Sequence, residues 1–265
     1  MIKPVRPIFS LFLVVTLPCV AARSDNLAYG APCKKGVQVV DRVGYALGYS
    51  EKYEQPLWVS YRLTAEEALT KVARRAEDFR PDPAICTGSA LIEDYRRSGY
   101  DRGHLAPAAD MAWSAQAMSD CFYLSNMSPQ VNAFNGGIWA KLEKWVRGVA
   151  IREQKVFVVT GPLFETNVVH KTIGPSRVVV PEYFYKVIYD ETPPEKMIGF
   201  IVPNAPNKNI YKFAVSVDEV ERRTGLDFFP NLPKPEQARL ESQCKVNDWN
   251  GRSTAALPRH GLRCP

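Results

Sequence analysis

"YDRGHLAPAADM", residues 100–111, places one of only three histidines in a 265-residue chain directly after Asp-Arg-Gly and before a proline-broken, alanine-rich stretch. In an extended segment alternate side chains share a face, so Arg102 and His104 point together into one cleft with Asp101 on the other side. Gly103 between them lets the backbone approach a ligand or take a positive φ. The pair joins a permanent cation to a side chain that titrates near neutrality. A phosphodiester calls for both: a base to take a proton from attacking water, and positive charge to hold phosphate oxygens. By itself the tetrapeptide reads more readily as a turn with a surface ion pair and a satisfied histidine, so its surroundings decide.

Downstream, "SNMSPQVNAFNGGIWAKLEKWVR" (125–147) crowds Asn126, Asn132 and Asn135 at the entrance to a helix expected over about 136–154. There Ile138, Leu142, Trp145 and Val149 recur at helical spacing and make one apolar face. Glu143 and Arg147 sit four apart on it. Eight helical residues advance about 12 Å, so Glu143 does not sit beside Asn135; a role through metal-bound water fits it better. The plainer alternative is a solvated Glu143–Arg147 pair with the asparagines as turn and cap residues.

The rest of the chain reads as one α+β domain with an antiparallel-rich central sheet flanked by helices. Short β-like runs ("VQVVDRVGYALGYS", "PLWVSYRL") precede "TAEEALTKVARRA", where Thr64 and Glu67 have capping-box spacing ahead of good helix formers. Pro81 and Pro83 then force an irregular segment leading to the opening motif. Strands are expected at "KVFVVTGP", "RVVVPEYFYKVIYD" and "KMIGFIVPN", and a short helix at "VDEVERRTG" that stops on Gly225.

Composition and motifs exclude several chemistries. There is no His-Glu-x-x-His, no Gly-x-Ser-x-Gly elbow and no glycine-rich phosphate loop, and the histidines at 104, 170 and 260 are too scattered for a metal cage. The formal charge of +6 admits an acidic polymer as partner. Residues 1–22, with Lys3 and Arg6 before an apolar run and a small-residue step at Val20-Ala21-Ala22, read as a secretory signal peptide, which makes the chain secreted or periplasmic. No later segment has the roughly 20 apolar residues a membrane span needs.

Of the six cysteines, at 19, 33, 86, 121, 244 and 264, none forms Cys-x-x-Cys. Cys244 with Cys264 is the favoured disulfide, tying down a polar tail, and Cys33 with Cys86 is the second choice. Cys121, in apolar "DCFYL", reads as a buried free thiol. The chain divides on this reading into a leader (1–22), an N-terminal extension (23–56), a catalytic domain (57–235) and a disulfide-tethered tail (236–265).

Asp101-Arg102-Gly103-His104, "FYLSNMSPQVNAFNGGIWAKLEKWVR", "VTGPLF", "VVVPEYFYKVI", "FIVPN" and "VDEVERRTGLDFF" occur in that order, and together they resemble the DNA/RNA non-specific endonucleases of the ββα-metal type over residues 57 to 230. The resemblance implies the ββα-metal nuclease fold and a metal-dependent, sugar-non-specific endonuclease that leaves 5′-phosphate ends. It implies that His104 is the general base and that Asn135 is the one direct protein ligand of a divalent ion, Mg²⁺, for which Mn²⁺ or another divalent ion can substitute. Glu143 matches a residue that positions metal-bound water, Arg102 and Arg147 match arginines at the scissile phosphate, and Asn126 matches a further active-site asparagine. An upstream arginine of the family corresponds best to Arg75 in "RRAEDFRPDP", with Arg74 and Arg80 as alternatives. One Mg²⁺ on a neutral asparagine is chemically reasonable, because Mg²⁺ keeps several waters and substrate phosphate supplies the negative charge.

Two other readings stay open on sequence grounds: a nucleic-acid-binding protein without catalysis, and a secreted disulfide-linked interaction module. The first would be expected to lose His104, Asn135 or Glu143 while keeping the arginines, yet all three are present. DNA and RNA are the expected partners; whether the chain forms a homodimer or meets a dedicated inhibitor protein is not written in the sequence.

Overall fold

The computed structural model describes residues 25–32 and 36–249. The first strands are β1 (Gln38–Asp41), β2 (Ala46–Ser50) and β3 (Gln55–Thr64), followed by helices α1 (Ala65–Leu69) and α2 (Ile92–Tyr95). Next come β4 (Asp101–His104), α3 (Ala115–Asp120), β5 (Met127–Gln130), a wide turn over Phe134–Trp139, and the long helix α4 (Ala140–Glu153). Beyond it lie β6 (Lys155–Leu163), β7 (Thr172–Ile173), β8 (Val178–Val179), β9 (Tyr183–Asp190), β10 (Lys196–Pro203), β11 (Ala214–Val215), α5 (Val217–Thr224) and α6 (Lys234–Glu241).

Seven strands form one sheet in the order β1-β2-β3-β6-β9-β10-β11, each neighbouring pair antiparallel. The expected α+β fold with an antiparallel central sheet is therefore present. The sheet takes in β1 and β2, which lie before residue 57.

Period-two alternation sends β-strand side chains to opposite faces. Phe184 and Ile188 of β9 join one core with Leu142, Val146 and Val149 of α4, and the same core runs under Leu105, Ala106 and Phe122 beside β4. Tyr185, Val187 and Tyr189 join a second core on the other face with Val217 and Val220 of α5 and Leu240 of α6. Each fully buried aliphatic side chain contributes about 1.5–3 kcal/mol, which is ample to clamp α4 on the sheet. The apolar face expected for this helix is realised, with Val146 fully buried and Trp145 at its margin.

Thr64 Oγ1 accepts from the Glu67 N–H (3.1 Å) and the Glu67 carboxylate accepts from the Thr64 N–H (2.8 Å), completing the capping box. The helix it starts is far shorter than "TAEEALTKVARRA". It ends at Leu69 because the Val72 and Ala73 N–H groups both donate to the Ala112 carbonyl (3.0 Å), a tertiary partner that replaces the next helical turn. The run "RVVVPEYFYKVIYD" is likewise two strands, β8 and β9, split around Pro181, which has no N–H for the ladder. Gly225 ends α5 in the left-handed region, φ 66°, as expected.

Cys121 is a buried free thiol, and Cys86 is free and exposed, so the Cys33–Cys86 bridge is not formed; spacing along the chain could not reveal that the Cys86 loop is held instead by a hydrogen bond from its N–H to Gln38 Oε1 (2.9 Å). Cys244 is disulfide-bonded, and Cys264, its expected partner, lies outside the described residues, as does the 1–22 leader. Among the described residues no helix is long and apolar enough to cross a membrane.

Candidate functional site

β4 and β5 form a separate antiparallel ribbon in which Gly103 faces Ser128 and His104 faces Met127. Followed by the wide turn and α4, the ribbon makes a strand–strand–helix unit laid against the first core. A Cβ on Gly103 would fall 2.1 Å from Cδ of Gln130, which is fully buried. Packing of Gln130, and not a positive φ, is thus what demands glycine here.

Arg102 and His104 share a face, as strand periodicity requires. The Arg102 guanidinium lies 4.1 Å over the Phe79 ring, and the His104 ring meets Phe79 and Phe122 edge-on at 5.7 and 4.9 Å. His104 is only 9% exposed, and its Nε2 has no hydrogen-bond partner among the described residues. Burial above all, then the positive charges of Arg75 and Arg102, pull its pKa down to about 3, so the ring is neutral at pH 7. Of the three candidate upstream arginines, Arg75 is the one facing this ring, its guanidinium 5.2 Å over Phe122. Arg80 is stacked on Tyr123 (4.0 Å) and bonded to Asp78 and Ser119, while Arg74 is exposed.

Asp101, Arg102 and Asn135 line a cleft of about 450 Å³ together with Phe79 and Tyr100. Asn135 Nδ2 donates to Asp101 Oδ2 (2.9 Å), and Asn132 Nδ2 donates to the same oxygen (3.1 Å). With the amide nitrogen engaged, the Asn135 carbonyl oxygen is the side-chain atom left for a ligand, and no donor among the described residues bonds to it. An amide oxygen beside a carboxylate, with no thiolate or second histidine near, suits a hard cation such as Mg²⁺. The wide turn that presents Asn135 contains Gly137 at φ −103°, ψ −106°, so the stretch to Glu143 is broken and not the straight helix assumed from spacing.

Glu143 lies in a buried polar cluster with Lys186, Asp110, Arg147 and Tyr61. Burial pushes the Glu143 carboxyl up and Lys186 down, and each opposes the other's shift by its charge. Lys186 is fully buried, its amine without a hydrogen-bond acceptor among the described residues and 4.7 Å from the Trp139 ring. Arg147 donates to Asp110 (2.7 Å), which also accepts from the Tyr61 hydroxyl (3.1 Å); its partner is therefore not Glu143 one turn away.

Asn126 is not at the cleft surface. It is fully buried, and its amide accepts from the Ala106 N–H (2.9 Å) and donates to the carbonyls of Ala106 (3.0 Å) and Cys121 (2.9 Å). It holds the loop that leaves His104.

Sequence reasoning missed Asp101 as the partner of Asn135, and it missed Asp110, Lys186 and the aromatic walls Phe79 and Phe122. Lys186 was detectable: it shares the core-facing parity of Phe184 and Ile188 in "FYKVI", where a lysine is out of place. The others depend on contacts between distant segments and carry no local signal.

The family model for DNA/RNA non-specific endonucleases matches residues 22–235. The mitochondrial endonuclease G of Homo sapiens is 38% identical over 218 residues, covering 77% of this chain and 73% of the relative. The mitochondrial nuclease EXOG of Danio rerio is 36% identical over 239 residues, covering 83% and 69%. A crystal structure of an EndoG/EndoGI complex superimposes with a TM-score of 0.72 at 36% identity, over 79% of this chain and 91% of that one. These relatives correct the expected location: the matching nucleases are mitochondrial, which points to the mitochondrion and away from a secreted or periplasmic protein. The misreading has a physical cause, since a leader with basic and no acidic residues is compatible with either address.

Proposed function

This chain belongs to the DNA/RNA non-specific endonuclease family and is a nuclease, a metal-dependent hydrolase, and on that premise we propose how its site cleaves DNA and RNA. The observation that carries the reading is His104: a neutral, buried imidazole flanked by two arginines, one of which, Arg102, lines the cleft with Asn135. Water attacks phosphorus while His104 takes its proton; the bond from phosphorus to the 3′ oxygen breaks and that oxygen takes a proton from solvent, leaving a 5′-phosphate and a 3′-hydroxyl, and His104 then returns its proton to solvent. With Nε2 sealed into the protein, Nδ1 is the nitrogen left to accept that proton.

Asn135 Oδ1 would hold the divalent ion, Mg²⁺ with Mn²⁺ able to replace it, which supplies positive charge for a phosphate oxygen and the departing 3′ oxygen. Asp101 orients the ligand by fixing its amide nitrogen. Arg102 and Arg75 bind the phosphate oxygens; a bound phosphate would also offset the two positive charges that depress His104, raising its basicity where a base is needed. Glu143 is assigned the part of orienting water for the metal, and Arg147, hydrogen-bonded to Asp110, opposes the rise that burial gives the Asp110 carboxyl. Contacts of this kind go to phosphate and sugar, which is why no base preference is expected.

A plasmid-nicking and RNA-degradation assay with Mg²⁺ and with EDTA tests the reading. Cleavage of both polymers that stops in chelator is expected. Full activity in EDTA, or clean base specificity, would overturn it, and binding without cleavage in Mg²⁺ would favour the non-catalytic alternative.

A further inference from the structure

On the face of the sheet opposite α4, helices α5 and α6 bury Val217, Val220 and Leu240 in the second core, which presses their polar edges together. Asp218 and Glu221 are three apart on α5, and Glu241 is the last residue of α6. One carboxylate oxygen from each lies within 4.8 Å of the other two. Glu221 Oε1 accepts the Phe228 N–H (2.7 Å), whereas Glu241, only 4% exposed, receives no hydrogen bond from any described residue, and its Oε1 is buried without a partner.

A buried carboxylate facing two others, with no donor, is an arrangement that proteins compensate with countercharge. The neighbouring cation does not provide it: the Lys234 amine is directed to Gln237 Oε1 (2.7 Å) and to Asp227 (3.6 Å). We propose that Asp218, Glu221 and Glu241 bind a divalent cation, calcium in preference to magnesium, that ties α5 to α6. The donors are all carboxylate oxygens, which select a hard ion over zinc or copper. Their spread accommodates calcium, whose oxygen ligands stand about 2.3–2.6 Å away in flexible geometry, more readily than magnesium at about 2.0–2.1 Å. Burial, followed by the charges of Glu221, Asp218 and Asp227, works against a bare negative charge on Glu241, and a bound cation offsets all of these. The site lies across the sheet from His104 and Asn135, so its ion stabilises the fold and takes no part in phosphodiester cleavage.

The test uses the full chain carrying Asn135→Ala, which removes the nuclease metal ligand from consideration. Calcium titrated calorimetrically should bind at one site, and at about a hundredfold above its Kd should raise Tm by about 5–10 °C. Both responses should vanish when Glu241→Gln or Asp218→Asn is added; Asp218 is exposed, so its variant folds even if the buried one does not. The same two substitutions in the chain with Asn135 intact should leave Mg²⁺-dependent cleavage unchanged, which separates this proposal from the nuclease reading. Absence of binding heat and of any Tm change in millimolar calcium would overturn it. So would an equal Tm rise in the carboxylate variants, or a Tm that responds to pH through neutrality and not to calcium, the signature of a shared proton.

Discussion

Replacing Asn126 by alanine separates a residue that acts on substrate from one that builds the site. Its amide satisfies three backbone groups, the Ala106 N–H and the carbonyls of Ala106 and Cys121, and both of those residues are fully buried. Alanine leaves all three without partners at about 1–3 kcal/mol each, and allowing for relaxation and entering water, a net loss of about 4 kcal/mol is expected. For a chain of this size that corresponds to a fall in Tm of about 8–16 °C. Ala106 is two residues beyond His104, so the loosened loop should also lower kcat, measured well below both melting temperatures, without changing the metal concentration needed for half-maximal rate. Asn126→Asp keeps the acceptor for the Ala106 N–H but turns charge toward two carbonyls, and should rescue nothing. A Tm within about 2 °C of wild type, below what one orphaned group would cost, combined with a large loss of kcat, would refute the structural role and return Asn126 to the chemistry.

His104→Ala should lower kcat by roughly 10²–10⁴ while substrate binding persists, and imidazole should partly restore cleavage of a nitrophenyl phosphodiester; a variant as active as wild type ends the general-base assignment. Because the folded-state pKa of His104 is lowered to about 3, the acid limb of kcat/KM should lie well below the ordinary histidine value of about 6.5. The same shift means that the unfolded chain binds the proton first: the stability linked to the neutral ring is complete above about pH 6.5 and is lost as pH falls toward 3, by at most about 1.4 kcal/mol per pH unit. A urea midpoint in His104→Phe that falls as steeply as wild type over that window would contradict it. Asn135→Ala should raise the Mg²⁺ concentration for half-maximal activity, and Asp101→Asn should do so to a smaller degree because it removes only the group orienting the ligand; unchanged metal dependence in both variants counts against the site. Gly103→Ala, whose Cβ would meet buried Gln130 at 2.1 Å, should cost about 1–3 kcal/mol in a denaturation curve, and a neutral result would mean that the ribbon yields.

What could be read from the chain alone was what depends on neighbours along it. The Thr64–Glu67 capping box, the Gly225 stop, the apolar face of α4 and the shared face of Arg102 and His104 follow from periodicities of two and 3.6 and from local hydrogen bonds. The separated motifs likewise carried the family and its α+β architecture. Tertiary structure alone decided the rest, because the deciding interactions join segments that no local period relates. Asp101 reaches Asn135 across 34 residues and Arg147 reaches Asp110 across 37. Helix α1 stops where Ala112 offers Val72 and Ala73 a better hydrogen bond than the next turn would. Phe79 and Phe122, unremarkable in sequence, wall in His104 and set its proton affinity by excluding water. Packing chooses which buried groups meet and which are left unpaired, and the strength of a charge or a base inside the protein depends on that choice.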